Sequence, residues 1–272
     1  MATPVRAVVI GATGRMGLAI VRAAQESEEL RIVAAIASAK SVALGRDIGE
    51  LAGLPRLDVE ITSDLPAALE IADVAIDFSQ PVATYFNLDM CRMARKPLLI
   101  GTTGFTPDVA AEFDSAAQDI PLLVAPNTSI GVTLLIELVR ACAQALPKDF
   151  DIEIVEAHHR MKKDSPSGTA LALGRAAAEG RQQDFNEVAA IDRGREFTRK
   201  EGDIGFAAIR GGDIVGEHSV LFAGTGEQVV LGHRATDRAI FARGAVQAAT
   251  WLVGKGAGRF FMRDVIGYKS AG

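Results

Sequence analysis

Cysteine is scarce in this chain: 2 of 272 residues, Cys91 and Cys142, far apart and outside any paired-cysteine motif, so neither a disulfide framework nor a cysteine-based metal site is written into it. Aromatic residues are also few, at 6%, against 27 glycines, which fits an alanine-, valine- and glycine-rich α/β protein better than an all-β sandwich. Positive charge shows no surplus. The formal net charge of -5 argues against a general nucleic-acid or membrane-surface binder. No apolar run approaches the roughly 18 residues of a membrane span. The N-terminal stretch MATPVRAVVIGATG lacks the apolar core and small-residue cleavage site of a signal peptide, so a cytoplasmic protein is expected. What is abundant is apolar surface, 49% of residues, enough for one large domain or two smaller ones.

The first thirty residues carry a chemical signal. Val5 to Ile10 is a short β-branched run, Gly11-Ala12-Thr13-Gly14-Arg15-Met16-Gly17 follows, and Leu18 to Gln25 has the composition of a helix. Strand, glycine turn and helix together predict a dinucleotide site. Glycines at 11, 14 and 17 permit positive φ, close approach to a pyrophosphate and tight helix–strand packing, while the helix start supplies unpaired N–H groups. A second strand is expected at Arg31 to Ala37, and further ones at Val74–Phe78, Pro97–Gly101 and Pro121–Ala125. These strands end in Ser79, Gly101-Thr102-Thr103-Gly104 and Pro126-Asn127-Thr128, loops expected beside the nicotinamide half of a cofactor because ligands lie across the carboxyl ends of a parallel sheet.

From about residue 150 the pattern changes. Asp151–Ala157 reads as a strand, 167–180 as a helix, and Ile204–Arg210, Ile214–Phe222 and Gln228–His233 as strands of an antiparallel meander joined by glycine turns. Residues 181–203 read as a polar, mobile loop, and 237–254 as an alanine-rich helix returning to the first domain. The expected fold is α/β: a Rossmann-type parallel-sheet domain (1–128 plus 240–272) with a second α+β domain (129–239) for substrate and oligomerisation.

Histidine is as rare as cysteine is isolated, at 4 residues, yet His158 and His159 are adjacent in EAHHRMKKDSPSGTA. Neighbours at a strand end point to opposite faces, and no other His or Cys lies at ligand spacing, so no metal site is expected. Lys162 and Lys163 add positive charge, and Ser165-Pro166-Ser167-Gly168-Thr169 reads as a helix cap whose N–H groups favour an anion. Histidine, lysine and a helix start together suggest a carboxylate pocket with a proton source.

The blocks GATGRMG, IGTTGF (100–105), APNTSIGV (125–132) and EAHHRMKKDSPSGTAL (156–171) resemble the dihydrodipicolinate reductase family, and the likeness runs the length of the chain. The resemblance implies hydride transfer from NADPH or NADH to an unsaturated cyclic dicarboxylate, giving tetrahydrodipicolinate on the diaminopimelate route to lysine, in a cytoplasmic homotetramer assembled through the second domain's sheet. By the same resemblance His158 is a proton donor or acceptor and Lys162 a second proton donor. His159, Ser167, Gly168 and Thr169 hold substrate carboxylates, with Thr103 and Arg238 facing the substrate. Gly11, Ala12, Thr13, Gly14, Arg15, Met16, Phe78, Gly101, Thr102, Thr103, Ala125, Pro126, Asn127 and Thr128 match cofactor loops.

Two departures stand out. Many relatives place an acidic residue after the second strand, where this chain has Ala37-Ser38-Ala39-Lys40, and the family's APNF or APNM is here APNT. An acidic side chain there favours NADH, whereas Ser38, Lys40 and Arg15 suit a 2′-phosphate, so NADPH is the expected preference over NADH. Two other classes share parts of the pattern. A non-catalytic NADP-binding sensor needs only the N-terminal half and not the His-His-Lys-Lys cluster. Among other Rossmann oxidoreductases, the sugar class carries Glu-Lys-Pro where this chain has Gly101–Gly104, and the semialdehyde class needs a cysteine nucleophile beside a base.

Overall fold

In the computed structural model, which describes residues 3–106, 109–194 and 198–268, the chain divides into two compact units. One comprises the described residues through Ser129 with Ala239–Val265, and the other Ile130–Arg238 with the described residues from Ile266. The first unit alternates strand and helix: β1 (Val5–Ile10), α1 (Arg15–Gln25), β2 (Leu30–Ile36), α2 (Ile48–Leu51), β3 (Ile61–Thr62), α3 (Leu65–Ile71), β4 (Val74–Asp77), α4 (Pro81–Met93), β5 (Leu98–Ile100), α5 (Val109–Ala116) and β6 (Pro121–Val124). The second contains α6 (Ile130–Ala145), β7 (Asp151–His158), α7 (Gly168–Gly180), α8 (Phe185–Val188), β8 (Ala189–Ala190), β9 (Ile204–Arg210), β10 (Gly216–Gly224) and β11 (Glu227–Ala235). The chain then returns to the first unit with α9 (Ala239–Leu252), β12 (Gly258–Phe260) and α10 (Met262–Val265).

The first sheet runs β12-β6-β5-β4-β1-β2-β3 with every pairing parallel. Its central strands are buried on both faces, which is why β4 and β5 read as continuous apolar runs rather than alternating ones. Strand order reverses between β1 and β4, the switch point where an open α/β sheet leaves a crevice. Helix α9 packs against α1, β4 and β5 through a stripe that includes Ala242, Ala245, Ala248 and Ala249, all buried. Helix α1 begins at Arg15 rather than Leu18, because Gly14 is its N-cap and the glycine loop itself supplies the first turn.

The three loop glycines serve different ends. Gly11 alone has a positive φ, +78°, and a Cβ there would lie 2.6 Å from the Phe78 carbonyl oxygen. Gly14 is extended, with φ -76°, and Gly17 is helical. Gly17 is required for closeness instead, since a Cβ on it would come 2.4 Å from the Gly11 carbonyl oxygen.

The second sheet departs from the expected meander. Its order is β11-β10-β7-β9-β8: β10 and β11 form an antiparallel hairpin, but β7 lies between β10 and β9, antiparallel to the first and parallel to the second. The glycines after β9 suggest a tight hairpin locally, yet Gly211 N–H donates to the His158 carbonyl at the end of β7 instead. The central place goes to β7, whose inward residues Ile152 and Ile154 are fully buried. Helices α6 and α7 cover this face, with Leu135, Val139, Leu173 and Ala177 packed on Phe150, Phe206, Val220 and Phe222.

Residues 181–203 are more than a loop. They carry α8 and β8, and Arg193 and Arg199 both donate to Glu153 on β7, with Arg199 also reaching Asp151 at 2.7 Å. Gly174 in α7 has no room for a side chain, since a Cβ would meet the Phe206 and Phe185 rings at 2.5 and 2.8 Å.

Phe222 is 0% exposed at the centre of this core. Phe222→Ala is expected to remove about 3–5 kcal/mol of stability, the usual cost of a large aromatic cavity. Chemical denaturation measures it, and a loss below about 1 kcal/mol contradicts the packing described.

Candidate active site

Around the switch point of the first unit, a cleft of about 660 Å³ is lined by residues of three loops, among them Gly11, Thr13, Gly14, Ser38, Phe78 and Ser79. The backbone N–H groups of both Gly11 and Ala12 donate to the Ile36 carbonyl, so these residues build the turn. Thr13 and the first turn of α1, Arg15 and Met16, keep N–H groups with no intrahelical acceptor. The Phe78 ring lies over Gly101, where a Cβ would come 2.1 Å from it.

Beneath these loops lies Asp77, a residue the sequence reading passed over. It is 0% exposed, accepts from Ser79 N at 2.8 Å and from Asn87 Nδ2 at 3.1 Å, and lies 3.4 Å from the Thr102 hydroxyl. One carboxyl group therefore fixes the turn after β4, the start of the loop after β5, and α4. Its signal in the sequence is a charged residue at the end of the apolar run Val74-Ala75-Ile76. Thr102 faces this knot, while Thr103 is exposed.

The loop after β6 explains the APNT departure. Thr128 is 2% exposed and its hydroxyl donates to the Phe241 carbonyl in α9 at 2.6 Å, while Gly244 packs so tightly that a Cβ would strike the Thr128 carbonyl. Thr128 thus anchors the loop to α9 through its hydroxyl. Ala125 is also buried, leaving Pro126 exposed and Asn127 half-buried, its Oδ1 accepting from Ser129 N at 2.9 Å.

The glycine turn, the unpaired donors at the start of α1 and the Phe78 ring fit a pyridine dinucleotide. Among the described residues, no Asp or Glu lines the cleft. Ser38 lies on its wall, and Arg15 and Lys40 are exposed nearby in sequence, with no side-chain ion pair described for either.

In the second unit, the inward face of β7 continues past Ile152 and Ile154 to Glu156 and His158, since residues two apart share a face. Glu156 is 1% exposed and Oε2 lies 2.6 Å from His158 Nδ1. Arg210, the register partner of His158 on β9, grips both carboxylate oxygens at 2.7 and 2.6 Å and donates to the Asp164 carbonyl at 2.7 Å. Ser167 N–H donates to Glu156 Oε1 at 3.1 Å. His218, opposite Glu156 on β10, has Nε2 3.1 Å from Ser167 Oγ and meets the His158 ring edge-on at 5.1 Å.

Ser167 also caps α7, its Oγ accepting from Ala170 N. Its backbone N–H is thus committed to Glu156, while its hydroxyl lies between the helix cap and His218. At the α7 start, a Cβ on Gly168 would meet nothing. Lys162 pairs with Asp164 Oδ2 at 2.9 Å, and its N–H donates to the His159 carbonyl in the turn after β7. His159 is half-buried, Lys163 exposed, and Arg238 exposed at the end of the unit. The structure therefore gathers His158, Lys162 and Ser167 around Glu156, Arg210 and His218, three residues absent from the sequence reading. Glu156 had a signal: a charge in phase with Ile152 and Ile154.

Residues 5–128 match the family pattern for dihydrodipicolinate reductase, N-terminus, and residues 131–266 that for dihydrodipicolinate reductase, C-terminus. The chain belongs to the dihydrodipicolinate reductase family. It is similar to the 4-hydroxy-tetrahydrodipicolinate reductase of Syntrophotalea carbinolica, 46% identical over 97% of this chain and 100% of that one. That of Ruegeria pomeroyi is 49% identical over 96% and 97%. A solved structure, the dipicolinate-bound dihydrodipicolinate reductase from Paenisporosarcina sp. TG-14, superposes with a TM-score of 0.77 at 25% identity, covering 97% of this chain and 99% of that one. The chain is thus an NAD(P)H-dependent oxidoreductase whose first unit binds the pyridine nucleotide. Among the described residues, no helix is long and apolar enough to cross a membrane.

Charge in this reductase's second unit is tightly balanced. Burial works against ionisation of Glu156, but hydrogen bonds from Arg210 and His158 outweigh it and hold the carboxyl below its ordinary value. Burial pushes His158 below the usual histidine range despite Glu156, so the ring is neutral at neutral pH. Burial, and next the neighbouring His158, lower His218 further, to about 4.

For a histidine with a depressed folded value, the unfolded chain binds the proton first, so stability is intact above the unfolded value of 6.5 and falls as pH drops toward about 4. His218 alone is expected to cost about 2–3 kcal/mol between pH 7.5 and 4.5. Denaturation at both pH values checks this in wild type and His218→Gln; equal losses in the two proteins contradict the assignment.

Proposed function

We propose that this chain reduces the unsaturated cyclic dicarboxylate formed from hydroxytetrahydrodipicolinate to tetrahydrodipicolinate, in lysine synthesis through diaminopimelate, as a cytoplasmic enzyme. The observation that carries this reading is the Glu156–His158 pair set beside Lys162 and the α7 N-terminus in a member of this family.

The first unit's residues hold the cofactor. The N–H groups of Thr13, Arg15 and Met16 donate to the pyrophosphate oxygens, helped by the α1 dipole, while Phe78 and the Gly101–Thr103 and Pro126–Asn127 loops flank the nicotinamide. When bound, NADPH supplies a hydride. The second unit's residues hold the substrate. Gly168 and Thr169 offer donors at a helix start to one carboxylate, and His159 holds the other, with Arg238 as a further substrate-facing group. The Lys162 ammonium stabilises the negative charge that develops on the ring, and the atom receiving the electron pair takes its proton from Lys162, or from His158 once its ring has been protonated.

Cofactor choice follows from the cleft wall. With no carboxylate lining it, nothing repels a 2′-phosphate, and Ser38, Lys40 and Arg15 supply a hydroxyl and two cations. The outer face of the second sheet exposes Val155, Ile209 and Val230, which supports assembly of a homotetramer through it. Light scattering at the mass of a single chain rules that assembly out.

Steady-state kinetics test the catalytic reading. Lys162→Ala is expected to lower kcat by about 10²-fold or more with a smaller change in KM, and near wild-type kcat contradicts its role. NADPH is expected to exceed NADH in kcat/KM by about 10-fold to 100-fold at low salt, the worth of one charge-assisted hydrogen bond, and by less as salt rises. Equal values at low salt overturn the phosphate pocket.

A further inference from the structure

We infer that Glu156, clamped by Arg210, is a positioning residue for the reaction: it fixes the His158 ring with Nδ1 as donor, so that Nε2 is the nitrogen that exchanges protons with the substrate. This inference rests on the role of His158 proposed above and deepens it.

The geometry leaves the carboxylate little freedom. Oε1 accepts from Ser167 N at 3.1 Å and Arg210 Nη2 at 2.6 Å, and Oε2 from Arg210 Nη1 at 2.7 Å. The remaining short contact, 2.6 Å, is to His158 Nδ1. An ionised carboxylate has no hydrogen to give, so Nδ1 must carry the shared proton and Nε2 the lone pair. On the other side of the ring stands Gly216, where a Cβ would lie 3.1 Å from Nε2; glycine keeps the space before that nitrogen free of a side chain. The groups whose charge bears on the ring are Glu156 on its own strand, Arg210 on β9, His218 on β10 and Lys162 in the following turn. Glu156 is the anion among them, and it favours the imidazolium that forms when Nε2 takes up a proton.

Arg210 extends the same restraint. Its second contact, to the Asp164 carbonyl, ties down the turn that carries Lys162, which itself pairs with the Asp164 carboxylate. A Glu156 that served only to anchor α7 through Ser167 N would hold the fold without affecting proton transfer, and the two roles separate by experiment.

Glu156→Gln keeps the size of the side chain and removes the charge. It is expected to lower kcat by about 10-fold to 100-fold, part of what a positioned acid–base group contributes, with KM for NADPH within about twofold. Loss of the anion disfavours the imidazolium, so the limb of the kcat profile belonging to His158 moves to lower pH, and Glu156→Asp restores the limb in part. In a His158→Asn background, Glu156→Gln is expected to cost almost nothing further, because its effect runs through that ring. A full additional loss in that background, or an unmoved limb, overturns the positioning role. If His158→Asn alone leaves kcat unchanged, the underlying role of His158 fails instead. Nitrogen-15 NMR of histidine-labelled wild-type enzyme settles the tautomer without any substitution at 156: Nδ1 protonated at neutral pH is expected, and Nε2 protonated overturns the inference.

Discussion

A carboxylate buried at the inner end of β7 organises the second unit. Leaving an unpaired ion there costs several kcal/mol, so Glu156 is tolerable only with its oxygens occupied by strong donors. Those donors come from three different elements: Arg210 from β9, Ser167 from the start of α7, and His158 from the next inward position of β7 itself. Satisfying one charge therefore fixes a strand pairing, a helix start and an imidazole together. The apolar row Ile152 and Ile154, covered by helices α6 and α7, leads the strand to the carboxylate at this depth.

The first unit uses the same device. Asp77 closes β4 as Glu156 nearly closes β7, and its buried carboxyl group gathers Ser79, Asn87 and Thr102. In each unit the strand delivers an acidic residue to the point where regular structure stops and functional loops begin. The loops can then be short in regular hydrogen bonds and still be held, which suits residues that must present donors to a ligand. Thr128 has a similar part at the loop after β6, tied to α9 by its hydroxyl.

Much of this was legible in the sequence, for physical reasons. Parallel strands buried on both faces produce apolar runs such as Pro121–Ala125, and the glycine loop has few alternative uses when it follows the first strand. The pairing of His158 and Lys162 with a helix cap was also visible, because all three lie within ten residues. What stayed hidden is what long-range pairing decides. Gly211-Gly212 reads as a hairpin turn, and only the insertion of β7 between β9 and β10 brings Arg210 and His218 to the two sides of Glu156. Ser167 reads as a helix cap, and only the fold shows that its hydroxyl also lies 3.1 Å from His218 Nε2. The three glycines looked equivalent, and backbone angles separate the one that needs positive φ from the one that needs close contact.

The claim on which this account turns is that Glu156 is an anion in the folded enzyme, held so by Arg210 although it is buried. Carbon-13 NMR of glutamate-labelled protein, with the Glu156 carboxyl resonance assigned by substitution, reads that charge directly as pH is lowered from neutrality. The account predicts a resonance at the ionised position near neutrality, with the midpoint of its titration below the ordinary glutamate value of 4.5. A titration step above that value shows a carboxyl governed by burial rather than by its partners, and contradicts it.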